Sequence, residues 1–219
     1  MGSLLFHLLV FVFLILHLHG FHVVTVDPTL GFTLLPLNNS NFHVLSPYNL
    51  NTSSRYSFIH GIHKLWVLAS DMPHAPQSLT LPRTELDVEV YHYASGVWQF
   101  EGQAYIPSGT TGVCIMQIFG MNGTNGGSTM MLRVYNGALM YYRRKLVMDG
   151  IYGRWFQLNV IHDVGSRNIK VFIDNELKLD VNQLGGDRFS FKFGVYMQKF
   201  SSYFMESMWK GIKIMKLLE

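Results

Sequence analysis

The stretch Phe189-Ser190-Phe191-Lys192-Phe193-Gly194-Val195-Tyr196-Met197-Gln198 constrains this chain most, because packing and polar residues alternate through it almost one by one. Side chains of an extended strand point to opposite faces in turn, so Phe189, Phe191, Phe193, Val195 and Met197 share one face. Ser190, Lys192, Gly194, Tyr196 and Gln198 share the other, which leaves one side for packing and one for binding. A second strand from Arg83 to Glu89 sets Arg83, Glu85, Asp87 and Glu89 opposite Leu86, Val88 and Val90. A third, Gly112 to Gly120, is apolar on both faces except for Gln117, and a lone amide in such a setting needs a hydrogen-bond partner.

No helical periodicity of useful length follows residue 26; short alternating runs punctuated by Gly, Asn, Asp and Pro do, and that pattern predicts an all-β sandwich. Further strands are expected from Trp66, over Val97 to Ile106, Thr129 to Tyr135, Leu139 to Val147, Trp155 to His162 and Ile169 to Ile173. Lys170 to Leu179 reads as a hairpin, with Asp174-Asn175 suited to the positive φ of a tight turn. Gly120 to Ser128 is a glycine-rich loop that either flanks a cleft or is plain solvent-facing chain. The expected organisation is a signal peptide over 1–22, an irregular segment over 23–55 carrying Pro28, Pro36 and Pro47 and wrapping the domain, and a single β-domain over 56–219.

The first 26 residues contain no Lys, Arg, Asp or Glu, and Leu4 to Leu18 is apolar apart from His7 and His17, as in the core of a secretory signal peptide. A signal anchor is the alternative, since the apolar stretch extends through Val24. Cleavage near Gly20 leaves roughly 195 residues, enough for one domain with a proper core and no stable membrane span. Asn38-Asn39-Ser40, Asn51-Thr52-Ser53 and Asn122-Gly123-Thr124 are sequons, so the secretory reading predicts N-glycans at Asn38, Asn51 and Asn122 and a location in the extracellular space, cell wall or vacuole. The net charge of +3 is too mild for a nucleic-acid partner, and Arg143-Arg144-Lys145 is the only basic run. Cys114, the only cysteine, excludes an intramolecular disulfide and reads as a buried inert thiol.

Pro82-Arg83-Thr84-Glu85, Gly96-Val97-Trp98-Gln99-Phe100-Glu101-Gly102, Met116-Gln117-Ile118-Phe119-Gly120, Met131-Leu132-Arg133-Val134-Tyr135-Asn136-Gly137, Asn159-Val160-Ile161-His162-Asp163-Val164 and Met205-Glu206-Ser207 carry a resemblance from about Asp27 almost to the C-terminus. The chain is similar to the plant citrate-binding proteins, within the superfamily of alginate-lyase-type jelly rolls. That resemblance implies a concanavalin-like β-jelly roll with a polar concave sheet. It also implies a carboxylate ligand, citrate or a uronate-containing glycan, held by Arg83, Glu85, Gln117, Lys192, Tyr196 and Gln198.

In a polyuronate lyase of this superfamily the proton beside a uronate carboxylate is removed only once that charge is neutralised. The resemblance gives Arg83 and Gln117 that task, Lys192 added positive charge, Tyr196 the acid or base role, and Glu85 the fixing of Arg83. Gln117 and Tyr196 are thus the catalytic pair if the chain is a lyase. The lyase pattern also has a histidine, where this chain has Phe119 or, before the Arg83 strand, Ser78 to Leu81; His74 is the nearest upstream imidazole. Asp87 and Ser190 stand where relatives have an Arg and a Tyr. The leading expectation is therefore a non-catalytic binding protein, with a β-eliminating lyase and a structural wall protein as alternatives.

No cofactor or metal is expected: His60 and His63 lack a nearby Cys or acidic third ligand. His162 and His92 read as hydrogen-bonded core histidines, and Trp98, Trp155 and Trp209 as core aromatics.

Overall fold

The structure, a computed structural model, describes residues 27–121 and 127–218; the expected signal peptide and the Asn122 sequon lie outside the described residues. The described chain forms strands β1 (Phe32–Leu34), β2 (His43–Leu45), β3 (Tyr56–Ile59), β4 (Ile62–Leu68), β5 (Arg83–Asp87), β6 (Val97–Tyr105), β7 (Val113–Met121) and β8 (Ser128–Tyr135). It continues through β9 (Ala138–Tyr141), β10 (Lys145–Met148), β11 (Trp155–Asp163), β12 (Asn168–Ile173), β13 (Glu176–Asn182), β14 (Arg188–Met197) and β15 (Phe204–Leu217). One sheet runs β13-β12-β11-β6-β15-β4-β3, with β1 also paired to β15, and the other runs β10-β9-β8-β7-β14-β5-β2. All ladders between these strands are antiparallel, giving the jelly-roll sandwich that the alternating runs predict.

The core lies between the sheets and is built from the period-two faces. Phe191 and Phe193 of β14 meet Phe100 of β6 at ring distances of 5.9 and 5.5 Å, and Phe193 meets Trp209 of β15 at 5.3 Å. Each buried aromatic removes some 150–250 Å² from water, so this cluster dominates the sandwich's cohesion. A polar thread crosses it: Trp209 Nε1 donates to Ser207 Oγ at 3.0 Å, and Ser207 Oγ donates to the Gly194 carbonyl at 2.8 Å. Gly194 has φ +137°, and a Cβ there would lie 2.4 Å from the Thr84 carbonyl oxygen, so this crossing of β14 and β5 admits glycine alone without rearrangement. The β14–β7 register shifts between Phe193 and Tyr196, a β-bulge that sits over the same glycine.

Several expectations are corrected. The strand from Arg83 ends at Asp87 and passes into a 3-10 turn over Glu89–Tyr91, so Val90 is exposed and His92 is no core residue; His92 Nε2 instead lies 3.9 Å from Asp87 Oδ1. Leu139 to Val147 is not one strand but the β9–β10 pair, because Tyr142 adopts φ 50° and turns the chain. The strand expected from Trp66 begins earlier, at Ile62. Trp155 is half-buried on the outer face, with the Lys210 ammonium 4.4 Å from its ring, whereas Trp98 and Trp209 are in the core. The Asp174-Asn175 turn has φ 51° and 65°, as a hairpin there requires. His162 is fully buried between the Tyr93 hydroxyl at 3.0 Å and Gln183 Oε1 at 2.8 Å. Residues 27–55 contribute β1 to one sheet and β2 to the other, and Asn38 and Asn51 are both exposed.

Candidate functional site

On β14 the residues between the core phenylalanines face away from the core, and the neighbouring strands bring their own polar faces alongside. Tyr196 is the ladder partner of Arg83, Gly194 of Glu85, and Lys192 of both Asp87 and Gln117. Gln117 reaches this face through a bulge: the β7–β8 register shifts between Cys114 and Met116, so Ile115 and Met116 both enter the core while Cys114 and Gln117 turn outward. Strands β5, β14 and β7 thus bring Arg83, Glu85, Gln117, Lys192 and Tyr196 onto one face of the seven-stranded sheet.

These side chains form a connected network. Arg83 Nη1 donates to Glu85 Oε2 at 3.2 Å, Gln117 Nε2 donates to Glu85 Oε1 at 2.6 Å, and Ser128 Oγ donates to Gln117 Oε1 at 2.6 Å. The lone amide of β7 therefore has partners on both its oxygen and its nitrogen, and Glu85 is the hub. Burial pushes the Glu85 carboxyl up from its usual range, against the opposing pull of Arg83, Lys192 and the Gln117 hydrogen bond. The Arg83 guanidinium stacks 3.7 Å from the centroid of the Tyr196 ring; among the described residues its one hydrogen bond is the one to Glu85, and its Nε is shut away from solvent without a partner. Burial also pushes the Tyr196 hydroxyl up, while Arg83 and Arg133 lower it and Glu85 and Cys114 raise it.

Lys192 is held differently. Its ammonium lies 3.0 Å from Asp87 Oδ2 and 4.1 Å from the centroid of the Phe119 ring. Two of the departures from the lyase pattern, Asp87 and Phe119, thus converge on one lysine, giving it a counter-ion and an aromatic seat. Gln198 lies one residue past β14 and donates its amide to the Tyr196 and Met197 carbonyls, apart from the network. His74, on the loop before β5, is half-buried with Nδ1 3.5 Å from Thr80 Oγ1. Burial first, and then the charges of Arg83, Lys192 and His43, hold its pKa below the usual value.

Sequence reasoning did not single out Arg133, Tyr135 and Tyr142. Arg133 occupies the outward phase of β8, between Leu132 and Val134 of the core, and its guanidinium sits 4.9 Å from the Tyr142 ring centroid. The Tyr142 hydroxyl donates to the Ser128 carbonyl at 2.9 Å and so braces the strand that supports Gln117. The signal available for Arg133 was the alternation Met130, Leu132, Val134 that encloses it. Cys114 is fully buried with its thiol pushed up by burial, as expected of an inert thiol.

A sequence model of the alginate lyase family matches residues 35–216. A citrate-binding protein of Hevea brasiliensis is 46% identical over 196 residues, covering 89% of this chain and 82% of that protein. The alginate lyase AlgAT5 of polysaccharide lyase family 7 superposes with a TM-score of 0.63 at 17% identity, over 80% of this chain and 93% of its own. A family 7 alginate lyase solved in complex with substrate gives a TM-score of 0.63 at 15% identity, over 81% and 93% respectively. At such identities the structural likeness speaks for the fold, and the Hevea relative carries the kinship in sequence.

Proposed function

Starting from a chain that belongs to the alginate lyase family, we propose that it binds a carboxylate ligand, citrate or a uronate oligosaccharide, in a groove over β5, β14, β7 and β8. The carrying observation is the shared face: Arg83, Gln117 and Lys192 stand on the same face as Tyr196, opposite an aromatic core that needs none of them. Charge-assisted hydrogen bonds from such donors are the chemistry that recognises clustered carboxylates and hydroxyls. The citrate-binding name of the Hevea relative and the substrate complex of a family 7 lyase support the same ligand class. We further propose that residues 1–22 are a leader removed in the secretory pathway. The mature glycoprotein, modified at Asn38, Asn51 and Asn122, then resides in the cell wall or vacuole.

A second reading, a β-eliminating polysaccharide lyase, is favoured by one observation: the half-buried His74 imidazole lies within the electrostatic reach of Arg83 and Lys192, which together with burial lower its pKa as a proton acceptor there requires. It ranks second because Phe119 lies beside Lys192 where the lyase pattern has an imidazole. Calorimetric titration of citrate and short uronates into wild type, Arg83→Ala and Lys192→Ala tests the binding reading. Losing one charge-assisted hydrogen bond weakens binding about 10- to 150-fold. Equal affinity in all three proteins would remove the groove from consideration.

A further inference from the structure

The charges on this face do not balance evenly. Arg83 is paired with Glu85 and Lys192 with Asp87, whereas no carboxylate among the described residues pairs with Arg133. Its one hydrogen bond among the described residues runs from Nη2 to the Met131 thioether at 3.0 Å, and a thioether is a weak acceptor that carries no charge. Arg133 Nε is shut away from solvent without a partner, and so is the hydroxyl of Tyr135, two residues along the same face of β8. Buried polar atoms left without partners are costly, and one on an unneutralised guanidinium with another two residues along the same face mark a place prepared for an anion. Exposed Arg143, whose guanidinium sits 5.2 Å from the Tyr135 ring centroid, adds a second positive charge there.

The registers tie this position to the groove. Arg83 faces Tyr196, Tyr196 faces Cys114, and Cys114 faces Arg133, so the four residues form one row across β5, β14, β7 and β8. Three strand spacings separate the arginine backbones, about 14 Å. The row has an arginine at each end, a tyrosine beside the first and the small Cys114 next to the second. Arg133 also reaches Tyr196 electrostatically, lowering the pKa of its hydroxyl as Arg83 does.

We propose that Arg133, with the Tyr135 hydroxyl and Arg143, is a second carboxylate-binding position, and that the groove selects polycarboxylates by bridging Arg83 and Arg133. The proposal rests on the carboxylate-binding reading above and deepens it: a single carboxylate engages one end, whereas citrate or two neighbouring uronates engage both.

The test is calorimetric titration of citrate, a uronate tetrasaccharide and the single carboxylate glucuronate into the full chain expressed in a secretory host. Wild type is compared with Arg133→Gln, and with Arg133→Met, which keeps the apolar contacts should the first variant fold poorly. The expected result is that citrate or the tetrasaccharide weakens about tenfold or more in the folded Arg133 variant. Glucuronate is expected to bind it as it binds wild type, through Arg83. If Arg83→Gln abolishes polycarboxylate binding and the Arg133 variants leave it unchanged, this inference fails while the binding reading stands. If no carboxylate binds wild type, both fail. The ligand that responds, citrate or uronate, identifies the source of the shared chemistry.

Discussion

Arg83 and Tyr196 are paired twice: they face each other in the β5–β14 ladder, and the guanidinium stacks 3.7 Å from the centre of the ring. The stack fixes the ring against the strand next door, and the charge opposes the rise that burial imposes on the hydroxyl. Arg83→Gln is therefore expected to raise the Tyr196 pKa further. Tyrosine ring carbon-13 NMR across alkaline pH, with Tyr196→Phe to assign the signal, reads this directly; an unchanged or lower value would show that Arg83 does not act on the hydroxyl.

Lys192 is held by Asp87 at 3.0 Å, so part of its charge is withheld from any ligand. Asp87→Asn keeps a hydrogen-bond acceptor and removes the negative charge. Citrate is expected to bind about three- to tenfold more tightly in the variant, since one opposing charge at the groove edge is gone. The melting temperature is expected to fall at the same time, because the ammonium is left in a buried site without its counter-ion. Titration paired with a thermal melt separates the two effects.

Acid should weaken the fold through His63. Its ring is buried, with Nδ1 3.0 Å from the Tyr56 hydroxyl and Phe58 at a ring distance of 4.4 Å, and burial lowers its pKa to about 4 from 6.5. The unfolded chain takes the proton first, so the contribution to stability is complete above about pH 6.5 and falls as pH drops toward 4. The loss at pH 5 is on the order of 2 kcal/mol. His162, also depressed by burial, acts with the same sign. Urea denaturation from pH 7 to 4.5 is expected to show a flatter decline for His63→Gln than for wild type.

Gly194→Ala should damage the fold more than an exposed glycine substitution would. The added Cβ meets the Thr84 carbonyl oxygen at 2.4 Å in a backbone conformation of φ +137°. A cost of about 3 kcal/mol or more is expected, a fall of roughly 6–12 °C in melting temperature for a chain of this size. Gly109→Ala, also at positive φ but with nothing near its Cβ, is the control for backbone strain alone.

Lyase activity is expected to be slight or absent. General acid–base participation contributes about 10²–10⁴-fold, and Phe119 occupies a position where an active lyase of this pattern has its histidine. Absorbance of unsaturated uronate ends over a panel of polyuronates measures it. Robust turnover lost in both His74→Ala and Tyr196→Phe would reverse the ranking of the two readings.

The β14 face was legible in the sequence because its Phe residues mark every second position without interruption. The same rule fails on β7, where Ile115 and Met116 are both apolar and nothing in their chemistry announces the bulge that turns Gln117 outward. The turn at Tyr142 was hidden for a similar reason: a tyrosine at φ 50° carries no glycine or asparagine signal. Asp87 could be seen to differ from the lyase pattern, but its pairing with Lys192 depends on a ladder register that composition does not encode. His74 was legible as the imidazole to examine, while its closeness to Arg83 and Lys192 comes from a loop path that no periodicity describes.

The Ser207 hydroxyl that reaches through the sandwich to the Gly194 carbonyl has a consequence for how such a groove can evolve. Gly194 is held from beneath by the opposite sheet and has no room for a Cβ against the Thr84 carbonyl, so the floor of the groove beside the row is closed to new side chains. The freedom to acquire a different ligand lies around it, with Ser190, Lys192 and Phe119 further along β14 and β7 and Arg133 and Tyr135 on β8. A lineage changing its diet of carboxylates would rewrite those edges first and leave the clamp intact.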